Sequence, residues 1–329
     1  MKLIKSKQLF GVDRLLEYRV YPPPCTKRSS VQCQHNICMH LCSIKRSGHY
    51  LHCVKSRMKL YLYQGLNFET VPMDVTHVIV DNSVAVIKEW SFNQCNLLVS
   101  VIMGDNVKII EDHAFYRCRV IRFIRLSRML EYIGWRAFAK CLALEALFLP
   151  STVKSIMNAA FWGCQSLRLI ILPNGIDLSN VGYAIIYNTP IYLIPETAGV
   201  AYDEDELPFA YESNRRVNEW LFHHMDEAPF HTLCYNSYIT TSQTNEYLHA
   251  SGNDSALAID AIHRMRPLHM LSMNPHAPAE TIAALLDCNM EAAFCLDDQQ
   301  KTPLEYARDY NVGGLVGMVN GLCNYRNGS

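Results

Sequence analysis

The chain has 329 residues, a formal charge of −1, and an apolar half. That length predicts about two domains, and near-neutrality argues against a whole-chain affinity for nucleic acid. No stretch reaches the roughly 18 apolar residues of a membrane-spanning helix.

Residues 1–57 form a basic arm whose only acids are Asp13 and Glu17. Its apolar residues follow neither a helical nor a strand period, and Tyr21–Cys25 (YPPPC) is a breaker cluster. The expectation is a disordered arm. Cys25, Cys33, Cys38, Cys42 and Cys53 mix with His35, His40, His49 and His52, which raises a second reading, a zinc site. The spacing lacks the two close Cys pairs of structural zinc sites. A third reading starts translation at Met58. Lys2, Lys5 and Lys7 are not followed by the apolar stretch of a secretory signal.

From residue 58 the pattern changes. Phe-x-x-Cys recurs four times at a spacing of 23 residues, with Phe92, Phe115, Phe138 and Phe161 paired to Cys95, Cys118, Cys141 and Cys164. Ile87, Ile110, Ile133 and Ile156 keep the same step, as do Leu98, Ile121, Leu144 and Leu167, and Val101, Ile124, Leu147 and Ile170. A fixed period of this size marks a solenoid, whose units bury a core only by stacking. Leu147-x-Leu149 alternates as a short strand does, and Ala-Phe-x-x-Cys has the three-residue step of a short helix. Lys59–Gly65 reads as an N-terminal strand. Ala184 and Tyr187 fall in the Phe and Cys columns of a degraded terminal cap.

The stretch LEYIGWRAFAKCLALEALFLPSTVKSI resembles the BspA-type leucine-rich repeat, and the resemblance spans about residues 75–195. It implies an α/β leucine-rich repeat solenoid of strand-plus-short-helix units that binds a protein or other ligand. It implies no catalytic residue.

The solenoid with its caps is assigned to residues 58–202 and an acidic linker to 203–213. A helical block takes 214–325, and 326–329 form a tail. In the block, Val217, Trp220, Leu221 and Met225 line one helix face. Pro229-Phe230-His231, Pro267-Leu268-His269 and Pro303-Leu304-Glu305 then recur at steps near the ankyrin period. Thr302-Pro303-Leu304-x-x-Ala307 resembles an ankyrin unit start, which makes the block an all-α ankyrin-like domain. The resemblance implies that His231 and His269 order turns by hydrogen bonding. A non-ankyrin bundle is the alternative.

Four of the 13 cysteines sit in the repeat column, where a small buried side chain suffices. The odd total and lack of a secretory signal predict reduced thiols and an intracellular protein, cytoplasmic or nuclear. His223-His224 with Asp226 and Glu227 lacks the spacing of a helical metal site, and Gly313, Gly314 and Gly317 do not open a dinucleotide fold. No catalytic residue, cofactor or metal is expected.

Binding has a candidate face. Ile79, Ile102, Arg125, Phe148 and Ile171 lie between the inward pairs and project from the sheet away from the core. An apolar stripe of this kind marks a partner site, unless the arm or the helical block covers it. Arg117, Arg119, Arg122, Arg125 and Arg128 share one unit, but Glu145 breaks the series in the next. That favours a solvated edge or an acidic partner peptide over nucleic acid, which needs a continuous basic stripe. The leading expectation is a protein-interaction scaffold. The alternatives are zinc-dependent regulation or nucleic-acid binding through the arm.

Overall fold

Three successive repeats each contribute two strands, separated in the chain by a tight turn. The computed structural model describes residues 58–193 and 211–328. In one parallel sheet β1 (Leu60–Tyr63), β2 (His77–Val80), β4 (Ser100–Ile102) and β6 (Phe123–Arg125) lie side by side in that order. In the second, β3 (Val86–Ile87), β5 (Ile109–Ile110), β7 (Tyr132–Ile133) and β8 (Ser155–Ile156) do the same. The register keeps repeat columns together, Val78 opposite Val101 and Ile110 opposite Ile133. Every inward column is buried.

The segment expected as a short helix is a run of turns. Its backbone turns left-handed at two places per unit, at Trp90, His113, Arg136 and Ala159, and at Gln94, Arg117, Lys140 and Gly163. A left-handed residue redirects the following peptide, so alternate N–H groups leave the local turn and reach the next rung. Phe115 N donates to the Ala137 carbonyl at 2.7 Å, and Phe138 N to Ala160 at 2.8 Å. Non-glycine residues pay for this conformation with about 1–2 kcal/mol each. The ladder offsets that cost by giving these backbone N–H groups carbonyl partners on the next rung.

Phe and Cys share the work of this third ladder. Neighbouring phenyl rings stack with centroids 4.8, 5.1 and 5.8 Å apart from Phe92 to Phe161. Each Cys N–H closes a turn onto the carbonyl of its own Phe. The last three thiols then donate to the Phe carbonyl of the preceding rung, Cys118 to Phe92 at 3.0 Å, Cys141 to Phe115 at 3.2 Å and Cys164 to Phe138 at 3.1 Å. The column therefore wants a donor of thiol size as well as an apolar one.

The ends are closed differently. Tyr63 covers Phe92 at 5.0 Å and its hydroxyl meets Ser91 Oγ at 3.0 Å. At the other end the final unit is two residues longer, because a 3-10 turn at Leu178–Asn180 intervenes. Val181 bridges to Ile156, and Phe161 N donates to the Ile185 carbonyl. The left-handed residues move correspondingly to Ala184 and Asn188. Ile186 and Thr189 thus occupy the Phe and Cys columns, in place of the expected Ala184 and Tyr187.

Helix α1 (Tyr211–His223) begins inside the stretch expected as linker and seals this end. Val217 and Leu221 join the solenoid core. Asn214 Oδ1 accepts from Ala184 N at 2.6 Å, and the Leu221 carbonyl accepts from Leu172 N at 3.2 Å. Residues 214–223, expected in the helical block, are the solenoid's cap.

Three helical hairpins follow, α2 (Pro229–Tyr235) with α3 (Thr241–Ser251), α4 (Pro267–Met273) with α5 (Ala279–Cys288), and α6 (Pro303–Tyr310) with α7 (Val312–Gly328). Each first helix opens on proline, whose missing N–H costs nothing there. First helices stack on first helices and second on second. His231 Nε2 donates to the Met265 carbonyl at 2.9 Å and His269 Nε2 to Cys295 at 3.0 Å, so each ties its hairpin to the loop before the next. Gly314 lets α7 approach α5, since a Cβ there would meet Ile282 Cδ1 at 2.2 Å.

The stacked column yields a stability test. Phe138→Ala removes a fully buried ring held on both sides and should cost about 3–5 kcal/mol. Urea unfolding followed in the solenoid measures it. A loss under about 1 kcal/mol would mean that the column is not core.

Candidate interaction surface

The outward side of the first sheet carries the candidate stripe. Leu62, Ile79, Ile102 and Arg125 lie in register on four adjacent strands, about 4.8 Å apart. Phe148 and Ile171 continue the column onto the next two rungs. These two are not available to a partner, being 2% and 4% exposed. The expectation of one open stripe is corrected at this point, because the helical block covers its end.

Tyr235, the last residue of α2, makes the decisive contact. Its ring stacks on Phe148 at 4.7 Å. Its hydroxyl accepts from Ile171 N at 3.1 Å and Leu149 N at 3.2 Å, and donates to the Leu147 carbonyl. One phenol thus replaces several strand-to-strand bonds where the sheet narrows to a single bridge, Ala146 to Leu169. Full burial drives the phenol well above its usual titration range. Ala146, Phe148, Leu169 and Ile171 share one apolar cluster with Met225, Phe230 and Leu268 of the block.

A polar network borders this cluster. Arg168 reaches Glu145 at 3.0 Å, Asp297 at 2.9 Å and Asp298 at 3.0 Å. It also donates to the Tyr306 hydroxyl, which in turn donates to Asp297 at 2.5 Å. Lys301 Nζ and the Tyr310 hydroxyl complete Glu145 at 2.9 and 3.0 Å. Burial would raise the Glu145 carboxyl, but Lys301 and Arg168 hold it below its ordinary value. His263 Nε2 donates to the Arg168 carbonyl at 2.9 Å, and Asp260 organises the His263 loop.

Arg125 belongs to this junction as well. Its Nε donates to His276 Nδ1 at 3.4 Å. Arg128 donates to the carbonyls of Ser237 at 3.0 Å and His276 at 3.4 Å. Burial, then the fields of Arg125 and Arg128, push His276 down to about 3. Burial, then His263, takes His224 to about 4.

Among the described residues nothing covers the rest of the face. Leu60 and Leu62 on edge strand β1 are 59% and 49% exposed, and Ile79 and Ile102 are half-buried. Leu60 and Leu62 were not singled out in the sequence, although the alternation in Lys59–Gly65 places them beside His77 and Ile79. On the turn side Trp90 stacks on His113, Trp135 meets His113 edge-on, and Arg136 bridges Trp135 to Trp162.

The family model for the BspA type leucine rich repeat region matches residues 68–195 in six copies. That stretch belongs to the BspA-type leucine-rich repeat family. Solved structures of leucine-rich repeat proteins are similar to it in part. A leucine rich cell surface protein from Faecalibacterium prausnitzii is 29% identical, with a TM-score of 0.32, over 32% of this chain and 29% of that one. A leucine-rich repeat protein from Bacteroides ovatus is 22% identical, with a TM-score of 0.33, over 40% of this chain and 35% of the other. One from T. pallidum is 22% identical, with a TM-score of 0.35, over 44% and 78%. The chain thus spans about a third of the length of the first two. No curated protein matches it.

The leucine-rich repeat assignment stops before the helical hairpins. Among the described residues no helix is long and apolar enough to cross a membrane, and no group of three metal-ligating side chains converges. The Cys/His arm considered for zinc and most of the acidic linker lie outside the described residues.

Two tests follow from the junction. Tyr235→Phe keeps the ring and strands three backbone partners, so it should destabilise the protein by about 1–3 kcal/mol in denaturant titrations. A neutral effect would show that the hydroxyl is dispensable. The pH dependence has a defined sign. His276 and His224 titrate lower in the folded protein than in the unfolded chain, so the unfolded chain binds more protons. Their stability contribution is complete above about pH 6.5 and falls as pH drops toward 4. Melting temperature should decrease between pH 7 and 4.5, and less so in His276→Gln. An equal decrease in that variant would remove His276 from the account.

Proposed function

We propose that this chain is a non-enzymatic scaffold that binds a protein partner on the open part of its leucine-rich repeat sheet, around Leu60, Leu62, Ile79 and Ile102. The observation that carries this reading is the division of one face. Rungs with Phe148 and Ile171 are covered by the chain's own helices, while the same column on β1, β2 and β4 is uncovered among the described residues. The covered half illustrates what the face accepts, a large aromatic anchor that stacks on an apolar side chain and bonds the strand backbone. Interface energy concentrates in such anchors.

Three proline-opened hairpins, two of them tied onward by histidine, support an ankyrin-like reading of the block. It serves here as a buttress for the solenoid. The thiol-to-carbonyl bonds of Cys118, Cys141 and Cys164 use the reduced, buried form of the side chain, whatever the compartment.

The test is affinity capture from the native cell followed by mass spectrometry. The double variant Ile79→Ser and Ile102→Ser should weaken a captured partner by about thirtyfold or more, with little change in melting temperature. Equal capture by a folded double variant would move the site elsewhere, first to the outer faces of the hairpins.

A further inference from the structure

Two guanidiniums stand at the border between the open and covered halves without a counter-ion. Arg125 is the next residue after Ile102 in the open column, and Arg128 lies three residues on. Among the described residues neither forms an ion pair. Arg125 spends only Nε, on the neutral acceptor Nδ1 of His276, and Arg128 spends Nε and Nη2 on backbone carbonyls. Among the described residues the remaining Nη groups make no hydrogen bond, and the Arg128 guanidinium also lies over the Tyr238 ring, 5.5 Å from its centroid. The Ser237 hydroxyl, buried beside them, also has no partner. Asp105 is the one acid acting on Arg125, yet it lies beyond ion-pair reach of both and accepts only the Arg128 backbone N–H at 3.3 Å.

Arg168 is the contrast. It sits at the same junction, and three carboxylates meet it there. Arg125 and Arg128, half-buried, have only neutral partners, so their charge has given up part of its water without meeting a carboxylate. A carboxylate supplied from outside would form a charge-assisted, two-pronged bond in a site already stripped of some water.

We propose that the open half of the face takes an extended acidic peptide segment of a partner protein, with apolar side chains on Leu62, Ile79 and Ile102 and a carboxylate held by Arg125 and Arg128. This rests on the reading of the sheet face as the interaction surface and adds the partner's chemistry. Side chains of an extended peptide alternate, so one face of it can carry both the apolar residues and the acid.

The test uses the full chain and a displayed library of random twelve-residue peptides, followed by titration of a selected synthetic peptide. Selected sequences should be enriched in Asp or Glu among apolar residues. Arg125→Gln with Arg128→Gln should weaken the peptide by about thirtyfold or more, and binding should fall as salt rises. Because Arg128 also ties to Ser237, melting temperature checks that the junction holds. Asp105→Asn keeps the acceptor for Arg128 N and removes the competing charge, so it should tighten binding severalfold.

Peptides without acid enrichment, or an affinity indifferent to both changes, would overturn the acidic assignment. If Ile79→Ser with Ile102→Ser still abolishes that binding, the sheet-face reading stands without it. Failure to select any binder overturns both. A single-stranded oligouridylate binding in place of the peptides, with the same arginine dependence, would replace the protein partner by nucleic acid.

Discussion

The register between rungs governs the rest of the structure, and the Phe-x-x-Cys turns set it. A 23-residue unit is too small to enclose a core, so every phenyl ring depends on the rings before and after it. The Cys side chain adds a direct link, because its thiol reaches back to the previous Phe carbonyl while its N–H closes the local turn. Left-handed residues two before and two after each Phe free alternate N–H groups for the next rung. Strands on either side inherit this register, and with it the alignment of Leu62, Ile79, Ile102 and Arg125 on one face.

The helical block converts part of that face into a core. Tyr235 bonds the strand backbone, Phe148 and Ile171 supply the apolar floor, and Arg168 with its carboxylates closes the border. Breaking such a buried pair by removing one partner is expensive, which makes solenoid and hairpins one mechanical unit among the described residues. The open rungs beyond Arg125 then form a short, rigid sheet surface, and preorganised surfaces lose less entropy on binding.

Much of this was legible in the residues. The inward columns announce themselves because each must be apolar in every unit, and prolines at 229, 267 and 303 mark three helix starts. The second sheet was not legible, since two-residue strands such as Ile109–Ile110 show no alternation. A three-residue Phe-to-Cys step fits a helical turn as well as a chain of turns, and Trp90 or Gln94 does not advertise a left-handed backbone. The two-residue lengthening at Leu178–Asn180 slipped the ungapped columns and put Ala184 where Ile186 belongs. The site was half legible. Alternation tells which side of a strand a residue faces, and so it found Ile79 and Ile102. It cannot tell what packs on that side, and Tyr235 is over 80 residues from Phe148 in the chain.

The central claim is that one sheet face is split between an internal cover and an open surface. Hydroxyl-radical footprinting of the intact chain, read by mass spectrometry, tests it most directly. The account predicts strong labelling of Leu60 and Leu62, intermediate labelling of Ile79 and Ile102, and protection of Phe148 and Ile171. Labelling of Phe148 and Ile171 as heavy as that of Leu62 in the folded protein would contradict it.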